Sequence, residues 1–406
     1  MRVATIAAAA TLLSGGTTAA RADIISDWYE TELAASKASE NPESSFDPET
    51  AQSVSKLTLA MFEAANAVDR RYQSYLKLPA AAKGASIEAA VATAARDVML
   101  AMHPGQKSMI DNGYAVAIAR VPEGKARADG IAAGQAAAKA ALAAGGFDYS
   151  LPPAAYRPIG APGKFVPVNV PIDPRLLQMR PWLLKSIDEF RIGPPGPLTG
   201  AEWAAAVAEV QSKGAKQSKT RTEAETVAAR FWAGYALAPT LRQIADQPGR
   251  SIVTNARMYA MVEVGGEDMT LVTFEAKMFY GFWRPLSAIR GAGDDDNPAT
   301  SPDIAWVPLL RTPFQPEYPC GHCIFAGFLA GVLAGEGPPP PGGLHFTSDS
   351  MPGVAMTVSD WPEFELAVSN SRINGGVHFR TTNVVSTPVG EALGKAVRAR
   401  FAPPLN

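Results

Sequence analysis

An all-α fold, a multi-helix bundle, is predicted by three features of the sequence. Apolar and alanine residues recur at helical spacing over much of its 406 residues, glycine pairs and proline clusters close those runs, and strand and helix patterns do not alternate. Composition excludes disorder: 47% of the residues are hydrophobic, and the length allows a substantial core in one large domain or two of ordinary size. A formal net charge of −2 gives no bulk electrostatic case for nucleic acid or an anionic membrane surface. Any anion site has to be built locally.

Residues 1–22, MRVATIAAAATLLSGGTTAARA, combine Arg2, an apolar run and small residues at Ala20 and Ala22. They read as a secretory signal peptide cleaved after Ala22, which implies an exported protein, periplasmic or extracellular. DIISDWYETELAAS then leads into SKLTLAMFEAANAVDRRYQSY, where Leu57, Ala60, Met61, Ala64, Ala65 and Val68 predict an amphipathic helix. ASIEAAVATAARDVMLAM and GKARADGIAAGQAAAKAALAAGG predict two more, the second closed by Gly145 and Gly146. Residues 147–198 are rich in proline and glycine and form the best internal boundary. They divide the chain into an N-terminal helical region, 23–198, and a C-terminal helical region, 199–406.

Helix returns at Thr199, whose spacing to Glu202 is that of a capping box. TEAETVAARFWAGYALAP comes next, then a long segment from Ser251 to Tyr280 that Gly265 and Gly266 are expected to divide into two antiparallel helices. A turn-rich connection, GAGDDDNPATSPDIAWVPLLRTPFQP, precedes a helix that resumes after Pro319. Its apolar run from Cys323 to Gly335 is too short to cross a bilayer and reads as a buried core helix; no transmembrane segment is expected. DWPEFELAVSNSRI, a break at Gly375 and Gly376, and a final helix to Ala399 complete about ten helices. Only FTSDS and VAMTVS look extended.

Three stretches concentrate unusual residues. In KMFYGFWRP, Lys277 and Arg284 lie seven residues apart, two helical turns and nearly the same face, among Met278, Phe279, Phe282 and Trp283. Two cations on such a face either reach solvent or a carboxylate, or are matched by a bound anion. In EYPCGHC, Gly321 permits close backbone approach and His322 opens a helix, where free N–H groups favour negative charge. A core histidine is the plainer account of His322. In SNSRINGGVHFRTTN, Arg372 and His378 would face apart on an unbroken helix, but the glycine pair allows both to turn to one point. A helix-end role for Arg372 is the alternative.

The order Lys-x6-Arg-Pro, Pro-x-Gly-His, Ser-Arg-x5-His resembles the vanadium-dependent haloperoxidases and their relatives, the type 2 phosphatidic acid phosphatases and bacterial class A acid phosphatases. AMFEAANAVDRRYQSY also resembles the helix that precedes the catalytic half of bacterial haloperoxidase homologues. The resemblance implies an oxyanion site inside the C-terminal helical bundle. Lys277, Arg284 and Arg372 would hold the oxyanion, with a backbone N–H of Gly321 and the side chain of residue 320 as further donors. His378 would ligate vanadium, or attack phosphorus, and His322 would be the acid–base group. The cofactor implied is vanadate, whose site phosphate can also occupy. Hydrogen peroxide and a halide would be the substrates, with Lys277 polarising bound peroxide. The alternative is an acid phosphatase that cleaves a phosphate monoester through a phosphohistidine at His378.

The pattern departs from the family at three positions. Cys320 stands where serine is usual, and a thiol is the weaker donor. Thr382 stands where many members have an aspartate behind the imidazole, which counts against the phosphohistidine route more than the vanadate one. Gln315 replaces an aromatic residue of fungal chloroperoxidases. CGHC also matches a disulfide exchanger letter for letter, but without the strand–helix context of one. A thiol–disulfide protein and a noncatalytic oxyanion binder therefore remain as other classes. Zinc lacks a second ligand pair. Export favours oxidation, so Cys320 and Cys323 are expected to form a disulfide that reshapes the anion pocket. Asp294, Asp295 and Asp296 read as a solvated acidic run, and His103 and His345 as packing or surface residues. Homo-oligomerisation stays open.

Overall fold

A computed structural model describes residues 23–39, 48–145, 158–167 and 174–405. The expected signal at residues 1–22 lies outside them, as does much of the proline-rich connection. The described chain is helical, with thirteen α-helices and one small sheet.

Five helices form the first half: α1 (Ile24–Ser39), α2 (Pro48–Val68), α3 (Ile87–Met102), α4 (Lys107–Ala119) and α5 (Lys125–Ala143). Ser86 caps α3 by accepting from the Ala89 amide at 3.2 Å. Small residues let α5 lie on α3: a Cβ on Gly130 would come 2.4 Å from the Ser86 carbonyl, and one on Gly134 2.3 Å from that of Ala90. No side chain fits either place. His103 is buried against Glu32 and Ser53, whereas His345 is exposed.

The second half contains α6 (Ala201–Lys213), α7 (Glu223–Phe231), α8 (Ala238–Ala245), α9 (Ile252–Tyr280), α10 (Pro285–Arg290), α11 (Gly321–Leu333), α12 (Trp361–Asn374) and α13 (Arg380–Arg400). Strands β1 (Tyr235–Ala236), β2 (Leu344–Ser348) and β3 (Ala355–Val358) pair antiparallel in that order. One continuous core of buried side chains runs from Ile25 in α1 to Ala402 after α13, so the two halves pack on each other.

Three local expectations are corrected. Gly265 and Gly266 do not divide the long segment; α9 is one helix of 29 residues. A Cβ on Gly265 would sit 2.6 Å from Val397 and 3.0 Å from Phe328, so this glycine serves helix packing and not a turn. Thr199 and Glu202 form no capping box, because Gly200 is the N-cap of α6. The Asn297 amide donates to the carbonyls of Leu198 and Gly200 and holds the entry there; the capping box is Thr222 with Glu225 on α7. Asp295 is buried, accepting from Trp203 Nε1 at 3.0 Å and from the Asn297 amide at 3.0 Å. It is a turn anchor, not part of a solvated run.

The feature that matters most for function is the pairing of α11 with α13. A Cβ on Gly327 would meet the Thr387 carbonyl at 2.2 Å, and one on Gly390 the Ile324 carbonyl at 2.0 Å. Gly331 and Gly394 extend the same close contact by another turn. With no side chains between the backbones, the starts of both helices are locked together. Those starts carry His322 and His378.

Candidate active site

The site forms where two irregular segments, 281–284 and 315–319, run beside each other below the starts of α11 and α13. Helix α9 stops at Gly281, which takes the left-handed conformation at φ +55°. Arg284 then becomes the N-cap of α10. Lys277 and Arg284 therefore do not share one helix face as their spacing suggests; a chain break stands between them. The Glu317 amide donates to the Phe282 carbonyl at 2.8 Å, and Arg284 Nε to the Gln315 carbonyl at 2.8 Å, which joins the two segments.

Lys277, Arg284, Arg372 and His378 are all buried. The Lys277 ammonium donates to the carbonyls of Pro316 at 2.8 Å, Glu317 at 3.0 Å and Pro319. Its three donors are used on the segment that leads into α11. Gly321 lies over it: a Cβ there would come 3.4 Å from Thr273 and 3.8 Å from Lys277. Burial lowers the Lys277 pKa well below its usual value, with Arg284 adding to the effect.

Arg284 reaches His378, with Nη1 3.0 Å from the imidazole Nε2 and 2.9 Å from the Val377 carbonyl. Gly376, at φ +74°, provides the turn that returns His378 to the site after Arg372 on α12. Three buried guanidinium nitrogens have no protein partner: Nη2 of Arg284, and Nε and Nη1 of Arg372. Leaving such donors unpaired costs about 1–3 kcal/mol each, more for a charged group. Burial brings Arg284 down to about 9 and Arg372 down to about 10. An anion would relieve both.

A carboxylate that the sequence motifs do not assign completes the arrangement. Glu317 is fully buried; its Oε1 accepts from His378 Nδ1 at 2.8 Å and the Phe379 amide at 3.1 Å, and its Oε2 accepts from Thr382 Oγ1 at 2.9 Å. Thr382 thus holds the carboxylate that its own position lacks. Burial pushes Glu317 up to about 7, opposed by Arg284, the Phe379 amide and Lys277. One signal was available: Glu317 opens EYPCGHC, five positions before His322.

His322 occupies the first turn of α11 with Nε2 3.3 Å from the Ala233 carbonyl. Burial and then Arg372 bring it down to about 3, so it is a neutral imidazole. Cys320 caps α11 and is joined to Cys323 by a disulfide, both sulfurs fully buried. Its sulfur accepts from the Cys323 amide at 3.2 Å, and its own amide donates to Ser386 Oγ at 3.0 Å. A disulfide sulfur has no hydrogen, so Cys320 cannot be the side-chain donor expected at that position. Nor are the buried sulfurs presented to a partner thiol. A separate cavity of about 760 Å³, lined by Trp28, Val116 and Asn255 among others, shares no residue with this site.

Residues 257–405 match the family model described as the VCPO second helical-bundle domain, a span that contains every one of these site residues except Ala233. Over this span the chain is similar to the vanadium haloperoxidases. Among curated proteins, it is 37% identical over 83 residues to vanadium chloroperoxidase of Curvularia inaequalis. That match takes in 18% of this chain and spans only 13% of the relative's length. Among solved structures, the first bacterial vanadium-dependent iodoperoxidase superposes with a TM-score of 0.73 at 19% identity, covering 93% of this chain and 96% of that one. An apo-type bacterial vanadium-dependent chloroperoxidase gives 0.68 at 15% identity, covering 86% of this chain and 93% of its own. The haloperoxidase fold therefore extends across both halves of the chain, beyond the matched C-terminal bundle.

Proposed function

We propose that this protein is a vanadate-dependent haloperoxidase that oxidises a halide with hydrogen peroxide. One observation carries the reading: unpaired, buried N–H groups of two arginines accompany a histidine whose outer nitrogen is free of a proton. With Nδ1–H donated to Glu317, the Nε2 of His378 keeps its lone pair, so it can ligate a metal oxyanion. Arg284 and Arg372 suit a tetrahedral anion because each guanidinium offers paired, fixed donors. These residues fit vanadate, and phosphate has the chemistry to occupy the same place.

Bound at His378, vanadate would supply a Lewis-acid centre that activates hydrogen peroxide toward halide. The chain's own groups then divide the remaining work. Arg284 would hold the anion through its unpaired Nη2 and through the Nη1 that now faces Nε2. Glu317 holds the imidazole in one tautomer. His322 donates Nε2–H to Ala233, which leaves Nδ1 as the atom that takes a proton from peroxide. Lys277 fastens the 316–319 segment and can exchange one carbonyl for the anion.

Glu317 also favours a second reading, phosphomonoester hydrolysis through His378. The argument from Thr382 against an attacking histidine loses force once a carboxylate stands behind the ring from another segment. The two are separated by loading the purified protein with orthovanadate and following bromination and iodination of a phenolic dye, beside p-nitrophenyl phosphate hydrolysis without vanadate. Halogenation that needs both vanadate and peroxide supports the peroxidase. Hydrolysis alone supports the phosphatase. Export is part of the same proposal, supported by the signal pattern and by a buried disulfide suited to an oxidising compartment.

A further inference from the structure

Tyr235 is the described residue whose buried phenol oxygen has no hydrogen-bond partner. It lies on β1, paired with Ser348 of β2, so its backbone is fixed by the sheet. Its ring is held by four others: Trp232 at 5.6 Å, Phe364 at 5.5 Å, Phe346 at 6.0 Å and Phe325 at 6.0 Å between centroids. Phe325 follows His322 by one helical turn on α11, and Ala233, which faces His322, precedes Tyr235 by two residues. Arg372, whose Nε and Nη1 are unpaired, lowers the phenol's pKa against the larger effect of burial. A rigidly held hydroxyl and an unpaired guanidinium therefore belong to one corner of the site.

The chemistry of Cys320 gives this corner a purpose. The position expected to bring a neutral O–H or S–H donor to the anion carries a disulfide sulfur without a hydrogen. We propose that the Tyr235 phenol donates its O–H to the bound oxyanion beside Arg372, replacing the donor lost at residue 320. A neutral donor adds direction without further charge, and one already fixed by four rings loses little entropy on binding. The proposal rests on the oxyanion reading above and deepens it by naming a further ligand-contacting residue. Burial pushes the phenol pKa upward, which keeps the proton in place across the working range.

The test is isothermal titration of the full-length protein with orthovanadate and, separately, inorganic phosphate. Tyr235→Phe, which removes only the hydroxyl, is expected to weaken both by about tenfold. The melting temperature without oxyanion should be equal or higher, because an unpaired buried group has been removed. Adding Cys320→Ser with Cys323→Ala to Tyr235→Phe should recover most of the affinity by returning a hydroxyl to position 320. Tyr235→Leu should show the same loss if phenylalanine disturbs the aromatic cluster. Affinities equal to the parent's in both Tyr235 variants overturn the proposal and leave the haloperoxidase reading standing. A parent that binds vanadate without oxidising halide overturns the activity, while the ratio of affinities still decides the role of Tyr235.

Discussion

Glu317 Oε1 lies 2.8 Å from Nδ1 of His378, and that contact decides which face of the imidazole is chemically available. Oε1 also accepts from the Phe379 amide and Oε2 from Thr382, so neither oxygen is placed to donate; Nδ1 carries the hydrogen and Nε2 the lone pair. The Arg284 N–H directed at Nε2 is consistent with the same tautomer. Glu317→Gln can present its amide N–H to Nδ1 and reverse the assignment. Vanadate affinity measured by titration is expected to fall about 10- to 100-fold, as for other groups that orient a ligating histidine.

His322 and His378 each contribute stability that is lost on acidification below about 6.5. His322 has an ordinary value of 6.5 and is held near 3 in the fold, by burial first and then by Arg372, Arg284 and Lys277. Its contribution is complete above 6.5 and is lost as pH falls toward 3. His378 is lowered in the same direction. Glu317, raised from 4.5 to about 7, acts oppositely: between those values its share of stability falls as pH rises. Glu263, Glu267 and Glu365, each raised to about 7, and Asp268, raised to about 6, act in the same direction as Glu317, so the histidine share is read as a difference between variants. Melting temperatures recorded against pH should show the parent losing ground to His322→Gln as pH falls from 6.5 toward 3.

The glycines between α11 and α13 should tolerate no side chain. Gly390→Ala places a Cβ 2.0 Å from the Ile324 carbonyl, which neither backbone can avoid without moving. We expect a loss of about 1–3 kcal/mol in urea unfolding, the usual range for overpacking. Oxyanion affinity should fall with it, since the same contact places the start of α11, which carries His322, beside the start of α13. The surface change Val384→Ala on α13 should leave both measurements near the parent values.

The two cysteines should be inert to alkylation in protein purified without reductant, both native and unfolded. Mass spectrometry should show a chain lacking two hydrogens. Two alkylated thiols in the unfolded, non-reduced protein would contradict the disulfide and with it the argument for Tyr235.

The all-α class and the positions of His322, Arg372 and His378 were readable because each depends on local sequence: helical spacing, a helix start, and a glycine pair that turns the chain. What escaped depends on partners distant in sequence. Glu317 sits 61 positions from the histidine it orients, and only the fold shows that it replaces a carboxylate missing at Thr382. Gly265 looked like a turn because a glycine required by Val397 and Phe328 is indistinguishable, along the chain, from one required by a break. Tyr235 lies on a two-residue strand, too short for any periodic signal, and its unpaired oxygen is a property of its surroundings. Lys277 and Arg284 do not share the helix face that their spacing suggests, because a left-handed Gly281 ends α9 between them, a break that spacing alone cannot show.

The most direct test of the oxyanion cradle is a crystal soaked in orthovanadate, with vanadium located by its anomalous signal. One vanadium is expected, bonded to Nε2 of His378, with its oxygens on the guanidinium groups of Arg284 and Arg372. A saturating soak that leaves this position empty, or places vanadium in the cavity beside Trp28 and Asn255, would contradict it.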